Sequence, residues 1–110
     1  MTPAPKRKLT VLVVDDEPVI RETILEILRE EDFDALGMSN ASEALSWAQR
    51  LQPDVILTDV VMPGLNGVEL AIQLASALPD CRVILFSGQS ASTDFLTKAR
   101  KQGYEFEILP

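Results

Sequence analysis

Three stretches of the chain share one design, an unbroken apolar run that stops at polar or acidic residues. Leu9–Val14 is followed by Asp15-Asp16-Glu17-Pro18, Val55–Leu57 by Thr58-Asp59, and Arg82–Phe86 by Ser87-Gly88. Short continuous apolar runs bounded by turn residues read as strands buried on both faces. Phe33–Met38 is a weaker strand with Gly37 inside it, and Glu105–Leu109 is a fifth. Between them the period changes to that of a helix. Ile20, Ile24, Ile27 and Leu28 form one stripe after Pro18, with Arg21, Glu22, Glu26, Arg29 and Glu30 on the other faces. Ala44, Leu45, Ala48 and Leu51 form a second stripe behind the cap residues Ser39-Asn40-Ala41-Ser42, and Pro53 stops it. Trp47 falls off that stripe. Val68, Ala71, Leu74, Ala75 and Leu78 form a third, opened by Asn66-Gly67 and ended by Pro79. Ser90–Gln102, with Phe95, Leu96 and Ala99, forms a fourth, with Gly103 placed as its C′ residue.

The resulting order is β-α-β-α-β-α-β-α-β with short links. Right-handed crossovers then give a parallel sheet with helices on both faces. The central strand, from about Asp54 to Thr58, delivers Asp59 to its carboxyl end, where ligands collect in open α/β sheets. Asp59 alone is equally readable as the start of a turn or the cap of the next helix. The first strand ends in acid as well. Two such strands at one sheet edge bring Asp15, Asp16 and Asp59 together. Like charges about 5 Å apart repel by about 3 kcal/mol at an effective dielectric of about 20, so the cluster calls for protons or a cation. Oxygen-only ligands favour Mg²⁺. The other reading of the acids is a solvated helix N-terminus, since carboxylates there complement the dipole. Glu17 can serve the helix while Asp15 and Asp16 face the site.

Bulk properties narrow the classes. The 110 residues fit one domain, with 1–8 a flexible Pro/Lys/Arg-rich lead-in. A net charge of −7 argues against sequence-independent nucleic-acid binding by this segment. The absence of histidine removes His-based acid/base chemistry and metal ligation. Cys81, the single cysteine, permits no intramolecular disulfide, suits a reducing cytoplasm, and reads as an inert, semi-buried thiol beside a strand. No apolar run approaches the ~20 residues that span a bilayer.

Taken together, Val13-Val14-Asp15-Asp16-Glu17-Pro18, the strand-end Asp59, Met62-Pro63-Gly64-Leu65-Asn66-Gly67 and Phe86-Ser87-Gly88 resemble the receiver domain of two-component response regulators. The resemblance covers roughly residues 8 to 110. It implies a flavodoxin-like three-layer α/β sandwich with strand order 2-1-3-4-5, in which the first and third strands are neighbours. It implies that Asp59 is the phosphoacceptor for a phosphoryl group carried by a sensor histidine kinase or phosphotransfer protein. Asp16 and Asp59 would ligate Mg²⁺ directly, Asp15 directly or through water, and the Val61 backbone carbonyl would complete the protein ligands. Ser87 takes the place of the switch hydroxyl, Gly88 leaves room for the phosphoryl group, and Val61 and Gln89 line the cleft rim. The surface around the fourth helix and fifth strand would change on phosphorylation and be read by an output domain or partner protein.

Departures from the resembled pattern are specific. The phosphoryl-pairing lysine would be expected one residue past Pro110, Lys98 and Lys101 are poor substitutes, and the aromatic switch position falls on Ile108. The final helix is absent from this sequence. Its absence is expected to bare Val83, Leu85, Phe106 or Ile108 and to favour a homodimer through that face. Two other readings compete with the switch. One is a receiver-like scaffold working without phosphorylation. The other is a Mg²⁺-dependent phosphatase with Asp59 as nucleophile. The haloacid-dehalogenase type carries a second aspartate two residues on, where this chain has Val61.

Overall fold

The computed structural model describes residues 8–60, 67–86, 101, 103 and 107–109. Five parallel strands form one sheet: β1 (Thr10–Val14), β2 (Asp34–Met38), β3 (Val55–Asp59), β4 (Arg82–Phe86) and β5 (Glu107–Leu109). Their order is β2-β1-β3-β4-β5, the expected flavodoxin-like order. Three helices are described: α1 (Pro18–Glu30), α2 (Ala41–Leu51) and α3 (Gly67–Ala77). The expected helix over Ser90–Gln102 lies outside the described residues apart from Lys101, which is helical. Gly103 has φ +91, the left-handed backbone that a helix C′ glycine adopts at no steric cost.

Side-chain alternation along β1 divides the interior into two layers. Leu12 and Val14 join Ile56, Val60, Val83 and Leu85 beneath α2 (Ala41, Ala44, Ala48) and α3 (Leu70, Ala71, Leu74). Val11 and Val13 join Ala35, Val55 and Leu57 beneath α1. Val83 and Leu85 are 7% and 0% exposed. The expectation that they would be bared is therefore corrected: they point to the α2/α3 layer. Phe106 and the side chain of Ile108 lie outside the described residues.

A second correction concerns α1. Leu25 is its one fully buried side chain, flanked by the half-buried Ile24 and Leu28, while Ile20 and Ile27 are 38% and 54% exposed. The inward face runs through positions 21, 24, 25 and 28, so the fourth place on it belongs to half-buried Arg21. Trp47 is exposed on α2, with the Arg50 guanidinium 5.8 Å from its ring centroid.

At the other end of the sheet, away from the acids, Asp54 fixes the register. Its Oδ2 accepts from the Thr10 amide at 2.8 Å, its amide donates to the Thr10 carbonyl, and its carbonyl accepts from the Arg82 amide.

Candidate functional site

The register places Val14 beside Thr58, so the next residues, Asp15 and Asp59, emerge at the same sheet edge. One ligand oxygen from each of Asp15, Asp16 and Asp59 lies within 4.8 Å of the others. The three acids are graded in burial: Asp15 is fully buried, Asp59 half-buried and Asp16 exposed. Burial runs unbroken from Val11 through Asp15 and stops at Asp16, where the chain leaves the sheet edge.

Asp15 is held from several directions. Its amide donates to the Met38 carbonyl at 3.1 Å. Its Oδ1 accepts from the Glu17 amide at 2.9 Å, closing an Asx turn that leads into α1. Its carbonyl accepts from Arg21 Nη1 at 2.8 Å. Glu17 stands at the N-cap of α1, as expected of a residue serving the helix, although its side chain makes no cap bond. Asp15 Oδ2 is buried without a hydrogen-bond partner among the described residues. Burial raises the Asp15 carboxyl above its ordinary pKa of 3.8. The Glu17 amide opposes the rise, and the charges of Asp59, Asp16 and Glu17 add to it.

Asp59 is the last residue of β3, opposite Phe86 of β4. The Val60 amide donates to the Phe86 carbonyl at 3.0 Å, which keeps the two strands paired to the edge of the site. Thr58, fully buried beneath, donates through Oγ1 to the Asp59 carbonyl at 3.2 Å. Val61, Ser87, Gly88 and Gln89, also named from the sequence, lie outside the described residues.

A buried aspartate with one unpartnered oxygen, in a cluster of three carboxylates that each bring an oxygen within 4.8 Å of the others, fits a hard divalent cation. Acid oxygens supply the ligands such ions prefer, and the cation removes the repulsion that otherwise separates them.

Residues 11–106 match the family described as the response regulator receiver domain. The chain belongs to that family. Among curated relatives, this receiver is 33% identical to the probable transcriptional regulatory protein TcrX of Mycobacterium tuberculosis, over 100% of the chain and 47% of the relative. It is 33% identical to the transcriptional regulator NtrC of Azospirillum brasilense, over 88% of the chain and 20% of the relative. The receiver thus spans half or less of the length of these proteins. Among solved structures, the response regulator TrrA of Thermotoga maritima in complex with Mg²⁺-BeF is 30% identical, with a TM-score of 0.77 over 93% of this chain and 87% of that one. The beryllofluoride-activated NtrC4 receiver dimer is 37% identical, with a TM-score of 0.75 over 92% and 84%.

Sequence reasoning missed one residue of this site, Arg21, which it assigned to an outer helix face. The available signal was Gly37, a glycine inside a strand, which marks close approach by another group.

Proposed function

We propose that this domain is a phosphorylation-controlled signalling switch in which Asp59 takes a phosphoryl group from a phosphohistidine of a sensor histidine kinase or phosphotransfer protein. The observation that carries the reading is the meeting of Asp15, Asp16 and Asp59 at the carboxyl edge of the central strands. In the transfer, a carboxylate oxygen of Asp59 attacks phosphorus, an O–P bond forms, the N–P bond of the donor breaks, and the imidazole leaves. Asp16 and Asp59 would hold Mg²⁺ directly, Asp15 directly or through water, and the Val61 carbonyl would complete the set. Bound Mg²⁺ supplies the positive charge that lets anionic phosphoryl oxygens approach three acids. Asp15 is buried and Asp16 exposed, so the donor approaches the cluster from the Asp16 side.

Downstream, the Ser87 hydroxyl is the group that hydrogen-bonds the new phosphoryl oxygen, and the surface of the fourth helix and β5 carries the change to an output domain or partner in the cytoplasm. The lengths of the curated relatives, two or more times that of this chain, support a separate output region. A hydrolase reading has less support, because a valine stands where the haloacid-dehalogenase type needs its second acid.

The test is intact mass after incubation with acetyl phosphate and Mg²⁺, beside Asp59→Asn. A Mg²⁺-dependent gain of about 80 Da, one phosphoryl group, that is lost in the variant is the expected result. No adduct, in this domain or in a chain extended beyond residue 110, overturns the reading and favours a scaffold that works without phosphorylation.

A further inference from the structure

We infer that Arg21 is a positioning residue for the acid cluster, acting through the Asp15 carbonyl, and that Gly37 exists to admit its side chain. The inference rests on the reading of the cluster as a Mg²⁺ site.

The Arg21 side chain is only 17% exposed, although α1 is otherwise charged on its outer faces. Its stem crosses from α1 to β2 and lies against Gly37. A Cβ at residue 37 would stand 3.1 Å from Arg21 Cδ, 3.2 Å from Arg21 Cγ and 2.8 Å from Leu25 Cδ1. Any larger residue at 37 would push on Leu25 and on the arginine stem together. Beyond it, Nη1 reaches the Asp15 carbonyl at 2.8 Å. The other charged neighbour, Glu22, is 3.9 Å from Nε and 65% exposed, so the carbonyl is the stronger anchor.

The choice of acceptor is informative. A guanidinium paired with a carboxylate of the cluster would compete with a cation for its oxygens. Bonded to a carbonyl, it leaves those oxygens available. The Asp15 carbonyl and the Asp16 amide also belong to one rigid planar peptide. Holding that carbonyl therefore sets the direction in which Asp16 leaves the turn. Asp16 is exposed, so burial does not aim it at Asp59 as it aims Asp15. Arg21 supplies by one charge-assisted hydrogen bond the preorganisation that burial gives to Asp15.

The test compares Arg21→Met, which keeps a stem over Gly37 and loses every donor, with Arg21→Lys, which keeps one donor. Mg²⁺ affinity is read by calorimetry with no phosphoryl donor present, and exchange of the Glu17 amide is read in the metal-free protein. Partners that orient metal ligands are worth about 10–100-fold in affinity. Arg21→Met is expected to weaken Mg²⁺ binding about 10-fold and to speed Glu17 amide exchange, with Arg21→Lys recovering part of both. Gly37→Ala should weaken binding in the parent and add nothing in the Arg21→Met background. Affinity of Arg21→Met within twofold of the parent overturns the inference, and so does equal weakening by the two Arg21 variants, which would show that a donor to the Asp15 carbonyl does not carry the effect. A parent protein that binds no Mg²⁺ overturns the cation reading itself, a separate outcome visible before any variant is made.

Discussion

Replacing Asp15 with asparagine should stabilise the metal-free protein at neutral pH while removing its response to Mg²⁺. Asp15 is fully buried with one oxygen unpartnered, and carboxylates of Asp59 and Asp16 lie within 4.8 Å. Two unit charges 4.8 Å apart repel by about 3.5 kcal/mol at an effective dielectric of about 20. Asp59 is half-buried and Asp16 exposed, so screening brings the recoverable part to about 1–2 kcal/mol. Asparagine keeps the acceptor for the Glu17 amide and turns an NH₂ donor toward the two remaining acids. For a domain of this size the gain corresponds to a Tm about 4–8 °C higher.

The pH dependence follows from the raised Asp15 pKa. Above 3.8, the ordinary value, the unfolded chain has released a proton that the native state still holds. That contribution to stability is fully present below 3.8 and is lost as the pH rises through the higher native value. Wild type should therefore approach the Asp15→Asn variant in stability on acidification and fall behind it toward pH 7. Added Mg²⁺ reverses the order, since a ligand at a hundredfold excess over its Kd stabilises by about 2.7 kcal/mol and the variant lacks a ligand oxygen. Urea unfolding in EDTA at several pH values, repeated with Mg²⁺, checks each step. An Asp15→Asn protein less stable than wild type in EDTA at pH 7, or a gap that does not narrow on acidification, would refute the reasoning.

Two further outcomes test local structure. Asn40 caps α2 by accepting from the Glu43 amide at 2.8 Å, while its Nδ2 donates to Glu43 Oε1 at 2.9 Å. Asn40→Ala should cost about 1 kcal/mol in urea unfolding, and an unchanged midpoint would deny the cap its role. Burial, with the charge of Asp54, pushes the Cys81 thiol up to about 11. Alkylation of the native protein at pH 8 should run about 100-fold slower than that of a free cysteine, and a rate near the free value would contradict the buried setting.

The sheet was readable because each central strand is an apolar run with no period to misassign, and each run ends at a chemically distinct residue. Once two such runs were neighbours, the meeting of Asp15 and Asp59 followed from register alone, and the structure pairs Val14 with Thr58 as that requires. Helix faces were less legible. On α1 the four aliphatics Ile20, Ile24, Ile27 and Leu28 satisfy helical spacing, yet a stripe rotated by one position, through Arg21 and Leu25, is the one that meets the sheet. Periodicity ranks residues by polarity, and arginine scores as an outer residue even where its stem is apolar and its head finds a buried carbonyl.

The same blindness explains what the sequence could not separate within the acid pair. Asp15 and Asp16 are the same residue type one position apart, and their roles diverge only through burial and the hydrogen bonds of the turn. Asp15 ends fully buried and bonded on its amide, carbonyl and Oδ1. Asp16 ends exposed, with a direction inherited from the peptide before it. Precision at the exposed acid therefore depends on a residue of α1 and a glycine of β2, neither of which belongs to any motif at the strand ends. Gly37 is the point where strand propensity is surrendered: glycine weakens β2, and what lies against it is Leu25 together with the arginine stem that secures the turn. A local sacrifice beside an acid cluster marks residues that serve the site rather than the fold.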